Sequence, residues 1–298
     1  MLRLLTFNIL SPNFSDPQYY PISCHPYLDQ HLRREATTRF IQSMMDICDI
    51  FAFQEVTADT IFYDNPQPYI KLGEFNYLNQ LLGDKYYGMF FPHDVNYWKE
   101  HIGDDFEYSY IQNGNALFYR KDIFTVPIWH KISSLTGNTS IRGDVIHIAS
   151  QKLIRCINVH LDSDYSDNRI IELSGTISTF NLTNHCFDII MGDFNTLMTN
   201  PQIKEILVKN NFTDALGTNT NPSYPIINDI TDCGAIDNII YRGACIPILS
   251  QSKVIDNDLW NMYPKFCASD DIRGPERLKL CLQLYGSDHF PVIATFKL

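Results

Sequence analysis

The chain has 298 residues, 45% of them hydrophobic, and its 23 Lys and Arg stand against 34 Asp and Glu for a net charge of −11. That apolar content builds a packed core and excludes a disordered chain, and no apolar run reaches the ~18 residues of a membrane span. The acidity disfavours nonspecific attachment to long DNA or RNA, but leaves room for a nucleic-acid enzyme built round a local metal site.

In chain order, Leu2–Phe7 is the first apolar run that predicts a buried strand. Gln30–Ile47 follows as a helix, with Leu32, Phe40, Ile41, Met44 and Met45 inward and Arg33, Arg34 and Glu35 outward. Strands are predicted at Ile50–Phe53, Ala116–Tyr119, Val145–Ala149 and Leu153–Val159. A helix over Asp167–Phe180 precedes a strand at Phe187–Met191. Pro201–Asn210 reads as a helix opened by Thr199-Asn200-Pro201, a cap followed by a proline in the first turn. Ala235–Tyr241 and Pro291–Phe296 are the last predicted strands. Ser11–Tyr27, Tyr63–Tyr69, Phe91–Gln112, Gly217–Asp232 and Gln251–Tyr285 read as irregular, and loops this long in a compact domain are often functional.

Strands interspersed with helices favour a layered α/β or α+β fold. With no repeat or linker in view, residues 1–298 are expected to form one domain. The start of the chain does not read as a signal peptide, which predicts an intracellular protein, cytoplasmic or nuclear. None of the eight cysteines forms a C-x-x-C pair, so they are expected to be mostly reduced, small core residues.

Polar residues stand where the strands end. Asn8 closes the first, Gln54-Glu55 another, and Asn158-Val159-His160 a third. Gly192-Asp193-Phe194-Asn195 closes a fourth, Asp237 lies beside a fifth, and Ser287-Asp288-His289 precedes the last. Singly, each has a bland reading as a turn former, a cap or a core histidine. Together, acids, amides and histidines at several strand ends can converge on one pocket.

This ordered set resembles the endonuclease/exonuclease/phosphatase superfamily, from Phe7-Asn8 to Asp288-His289. The resemblance implies a DNase I-like α/β fold, a four-layered αββα sandwich of two mainly antiparallel sheets flanked by helices. It implies Glu55 as a hard oxygen ligand for Mg²⁺ or Mn²⁺, with Asn8 and Asp288 as direct or water-bridged partners. Asp193 matches the position that activates the attacking water, and Asn195 would hold that water or a nonbridging oxygen. His289 matches the histidine that contacts the scissile phosphate, Asp237 would set its tautomer, and His160 would be a second phosphate donor. Gln54 is open to a role in the floor of the site.

Phe7-Asn8-Ile9-Leu10-Ser11, Phe53-Gln54-Glu55-Val56, Gly114–Lys121 and Cys233–Tyr241 are similar to the deadenylase, nocturnin and 2′-phosphodiesterase branch. That implies a 3′–5′ exoribonuclease with single-stranded RNA, or another nucleic acid, as substrate. The segment Leu161-Asp162-Ser163-Asp164-Tyr165-Ser166 departs from the branch and looks more like DNase-type relatives. A DNA endonuclease or repair phosphodiesterase therefore stays open. A phosphatase acting on a small phosphorylated or lipid substrate stays open too, on the strength of the acidity. Loop aromatics such as Tyr19, Tyr20, Tyr97 and Trp98 are candidates to stack unpaired bases. The basic residues, among them Arg33, Arg120 and Lys121, form no dense run, which favours a short single-stranded end over a long duplex.

Overall fold

A computed structural model describes residues 1–62, 69–71, 73–94, 112–180, 186–217, 223–224, 235–243, 248–255 and 273–298. Tyr97, Trp98, Cys233, Cys245 and Cys267 lie outside the described residues, as does most of Phe91–Gln112 and Gly217–Asp232.

Two six-stranded sheets form the centre. The first contains β1 (Leu2–Asn8), β2 (Ile50–Thr57), β5 (Tyr86–Pro92), β6 (Asn113–Arg120), β13 (Ile248–Val254) and β14 (Val292–Lys297). Its order is β13-β14-β1-β2-β6-β5. The second contains β7 (Ile128–Ser133), β8 (Thr139–His147), β9 (Lys152–His160), β10 (Cys186–Asp193), β11 (Thr213–Asp214) and β12 (Asp237–Gly243). Its order is β11-β12-β10-β9-β8-β7. β3 (Thr60–Phe62) and β4 (Tyr69–Lys71) pair antiparallel in a separate two-stranded sheet.

The two sheets share a plan. In each, every pairing is antiparallel except the central one, β1 with β2 and β9 with β10. Parallel strands buried on both faces carry continuous apolar runs rather than alternating ones, which is why Ile50–Phe53 and Ile189–Met191 stand out in the sequence. Parity along the strands then decides which side chain goes where. Ile154, Cys156, Ile189, Met191 and Ile239 face the other sheet, whereas Ile157, Val159, Ile190 and Ile240 face the helices. Asn158, His160, Asp193 and Asp237 share the inward parity.

Helices cover both outer faces. α1 (Gln30–Met44), α2 (Glu74–Leu82) and α5 (Arg273–Tyr285) flank the first sheet. α3 (Ser166–Ser178) and α4 (Pro201–Lys209) cover the second, packing Leu173, Ile177, Ile203 and Leu207 on it. The expected αββα sandwich is the one observed. Asp29 caps α1 by accepting from the backbone of His31 and Leu32, and Asn200 caps α4 by accepting from Gln202 and Ile203. Among the described residues, no helix is long and apolar enough to cross a membrane. Cys24, Cys48, Cys156, Cys186 and Cys281 are buried and unbridged, as expected.

Several local expectations need correction. Gln251–Tyr285 is not irregular throughout, since it contains the end of β13 and all of α5. The apolar stripe of α5, Leu278, Cys281, Leu282 and Tyr285, is obscured in sequence by charged neighbours, one of which, Arg277, is itself buried. Ser11–Tyr27 is built of three 3₁₀ turns, two of them capped by the Ser11 and Asp16 side chains. On α1 the expected face is rotated. Arg33 is 4% exposed and Leu32 is 48% exposed. Arg33 is drawn inward because its guanidinium donates to three backbone carbonyls, those of Gly286 at 3.0 Å, Ile9 at 3.3 Å and Leu10.

Gly192 is one position where backbone geometry excludes a side chain. Its φ is +150°, and a Cβ there would lie 1.9 Å from the Val159 carbonyl oxygen. Gly192→Ala is expected to destabilise by about 1–3 kcal/mol or more, and to displace Asp193 as well. Thermal unfolding together with activity measures both effects. An unchanged midpoint would show that β9 and β10 are not in this register.

Candidate active site

The carboxyl ends of the two central parallel pairs meet at one edge of the sandwich. β1 ends in Asn8 opposite Gln54 of β2, and β10 ends in Asp193 opposite His160 of β9. Ligand sites form at such carboxyl ends because loops leave the sheet there and open a crevice. The loop into β14 adds Asp288 and His289, and β12 opens with Asp237. The structure thus brings together all eight predicted residues.

Asn8 joins the halves. Its Nδ2 donates to Glu55 Oε1 at 2.8 Å and to Asp193 Oδ2 at 3.1 Å, so one amide bridges carboxylates from the two sheets. Its Oδ1 accepts from Leu10 N at 3.0 Å. Glu55 sits at a break in the β2–β6 register with a φ of +60°, a bulge that re-aims its side chain. Its Oε2 accepts from Ser11 N at 2.7 Å. Burial pushes the Glu55 carboxyl up, and the Asp288 carboxylate adds to the rise. Asp288 accepts on Oδ2 from the Tyr20 hydroxyl at 3.0 Å, while its buried Oδ1 accepts no hydrogen bond and lies 4.0 Å from His289 Nε2.

Asp193 is locked in turn. Its Oδ1 accepts from Asn195 N at 2.8 Å, with Asn195 in the left-handed region at a φ of +49°. The Asn195 side-chain amide donates to Leu161 O at 2.8 Å, so it holds the loop after β9. Asp193 Oδ2 lies 3.8 Å from His160 Nε2 and 3.8 Å from His289 Nε2. His289 Nδ1 is 2.8 Å from Asp237 Oδ2, which fixes the ring and leaves Nε2 toward Asp193. Burial by itself would lower the pKa of His289, but the Asp237, Asp193 and Asp288 carboxylates outweigh it and hold the imidazole well above its ordinary value. Ser287 ties this loop to β1 by donating to the Asn8 carbonyl at 2.7 Å.

The donor set fits a divalent cation. Two buried carboxylates, Glu55 and Asp288, offer hard oxygens, and Asp288 Oδ1, like Asp237 Oδ1, is a buried oxygen without a hydrogen bond that a cation would satisfy. Asp193, Asp237 and His289 also bring ligand atoms within 4.8 Å of one another. In that trio His289 is already paired with Asp237, so the Glu55 side is the better seat for a hard ion.

Beneath these residues, Gln54 Nε2 donates to Thr6 Oγ1 at 3.0 Å and to Asn158 Oδ1 at 2.6 Å. Asn158 donates back across the sheets to the carbonyls of Phe53 and Ala116, each at 2.8 Å. Gln54 therefore belongs to the floor. Beside the site, an open cleft of about 470 Å³ runs between His160 and the 3₁₀ turns that carry Phe14 and Tyr19.

The sequence profile of the Endonuclease/Exonuclease/phosphatase family matches residues 5–289. The chain belongs to this family. Its members are phosphoester hydrolases. Solved structures that share the fold include the human Nocturnin catalytic domain with bound sulfate, at 17% identity, a TM-score of 0.58, and coverage of 99% of this chain and 93% of that one. ANGEL2, a 2′,3′-cyclic phosphatase, aligns at 13% identity and a TM-score of 0.65, over 99% of this chain and 94% of that one. The mannosyl-6-phosphatase Bt3783 of Bacteroides thetaiotaomicron aligns at 15% identity and a TM-score of 0.61, over the whole of both chains. At these identities the likeness is one of fold. No curated protein sequence matches the chain.

Sequence reasoning misses two residues that border this candidate site. Tyr20 was grouped with base-stacking aromatics, yet its hydroxyl meets Asp288 and the Phe14 carbonyl. His93 lies in a stretch read as irregular and carried no motif, and its ring centroid is 6.1 Å from that of His160.

Proposed function

We propose that the chain is a Mg²⁺-dependent phosphodiesterase that trims single-stranded RNA from its 3′ end. The observation behind this reading is the meeting of Asp193, His160 and His289 at the buried Glu55–Asp288 carboxylates. Glu55 and Asp288 would hold the cation, which supplies Lewis-acid polarisation of a phosphoryl oxygen when bound. Asp193 Oδ2 takes the proton of the attacking water, its orientation set by Asn8 and by the Asn195 backbone. His289, kept protonated by Asp237, donates from Nε2 to a phosphoryl oxygen. His160 donates from the facing side. Asn195 supports the loop after β9 through Leu161.

The cleft favours a short, flexible substrate. Its volume suits one small-molecule-sized unit, and Phe14 and Tyr19 offer exposed aromatic faces for stacking, worth about 1–3 kcal/mol per base. No Lys or Arg is among its described lining residues, which disfavours a long duplex. The same feature supports a second reading, a phosphatase acting on a small phosphorylated molecule. Labelled oligo(A), duplex DNA and p-nitrophenyl phosphate, each with Mg²⁺, separate the readings. Release of mononucleotides from oligo(A) is expected. Cleavage of duplex DNA in its place overturns the RNA reading, and phosphate release alone selects the phosphatase.

A further inference from the structure

His93 follows β5 and is 5% exposed, yet it lines the cleft beside His160. Its Nδ1 accepts a hydrogen bond from the Thr139 backbone N–H at 2.9 Å. A ring nitrogen that accepts carries no proton, so the neutral ring bears its hydrogen on Nε2. Burial, reinforced by His160 and Lys131, pushes the His93 pKa down to about 3, and the ring stays neutral. Nε2 has no hydrogen-bond partner among the described residues. A donor at the cleft on a buried ring whose other nitrogen is spent is an oriented, uncharged recognition group.

The rest of the cleft says what such a donor would meet. Asp16, Asp162 and Asp164 line it with amides from Asn113 and Asn138. Those carboxylates repel a second phosphate, whereas a carboxylate accepts hydrogen bonds from sugar hydroxyls, as acids do at ribose sites. A hydroxyl that donates its hydrogen bond to a carboxylate can still accept one on its oxygen. We propose that His93 is a specificity-determining residue whose Nε2–H donates to a ribose hydroxyl in the cleft next to His160. This rests on the phosphoester-hydrolase reading of the site. It makes the 2′-hydroxyl the feature that separates ribonucleotide from deoxyribonucleotide here.

The test uses adenosine 5′-monophosphate and its 2′-deoxy analogue as probes, with Mg²⁺, on the full chain. Imidazole ¹⁵N spectra at pH 7 are expected to show His93 as the Nε2–H tautomer. The Nε2 signal is expected to shift on titration with the ribonucleotide, with binding about tenfold tighter than for the deoxy analogue. His93→Leu is expected to bring the two affinities within about twofold of each other. His93→Gln, which keeps a neutral donor, is expected to restore the preference. An Nδ1–H tautomer, an unmoved signal, or an undiminished ribose preference in His93→Leu overturns the proposal. None of these readouts needs turnover. A His93 response to the nucleotide without trimming of oligo(A) therefore overturns the exoribonuclease reading alone.

Discussion

Asp193→Asn is expected to lower kcat by about 10²- to 10⁴-fold, the usual contribution of a positioned general base. The substitution keeps the shape of the side chain and removes its capacity to take a proton. Asp193 has no spare rotamer, since Asn8 holds one oxygen and the Asn195 backbone holds the other. An asparagine offers a single acceptor, so one of these bonds is lost at a cost of about 1 kcal/mol, too little to unfold the chain. Circular dichroism is expected to be unchanged while turnover on oligo(A) collapses. His289→Ala is expected to behave alike, because it removes the donor that Asp237 orients. Near-wild-type turnover in either variant refutes the mechanism.

The second large effect concerns the cation. Chelation is expected to abolish turnover, and Mg²⁺ is expected to raise the unfolding midpoint of the wild-type chain. The sign follows from burial. Glu55 and Asp288 are both buried in the folded state, where burial and the Asp288 carboxylate disfavour the Glu55 charge, and a cation bound only to that state relieves the penalty. At a hundredfold excess over Kd the stabilisation is about 2.7 kcal/mol. Glu55→Gln is expected to lose both the midpoint shift and the activity. Asp237→Asn is expected to keep the shift, because Asp237 serves His289. The opposite pattern, a shift lost in Asp237→Asn and kept in Glu55→Gln, would move the ion to the Asp193–Asp237–His289 group.

The motifs at strand ends were legible because they are local. A run such as Ile189-Ile190-Met191-Gly192-Asp193 announces a buried strand and the polar residue that leaves it. The family resemblance then followed from the order of such runs. What was not legible depends on partners far along the chain. Arg33 reads as an outward arginine until the Gly286 carbonyl, 253 residues away, is brought beside it. His93 becomes a fixed donor only because Thr139 N, 46 residues away, occupies its Nδ1. The apolar stripe of α5 was hidden because buried Arg277 interrupts it.

The acidity that opened the case changes meaning with the fold. Part of the surplus lies in Glu55, Asp193, Asp237 and Asp288, which the sandwich gathers into one buried group. Another part lines the cleft through Asp16, Asp162 and Asp164. By itself the sequence determined the layered class, the strand ends and the residue types of the site, because these follow from short-range periodicity and motif order. Only the tertiary structure decided that the Asn8 amide bridges carboxylates of the two sheets, that a neutral histidine faces the cleft, and that Asp237 and Asp288 each keep a buried oxygen without a hydrogen bond. Those outcomes are set by sheet-on-sheet packing, which joins atoms that no local pattern relates.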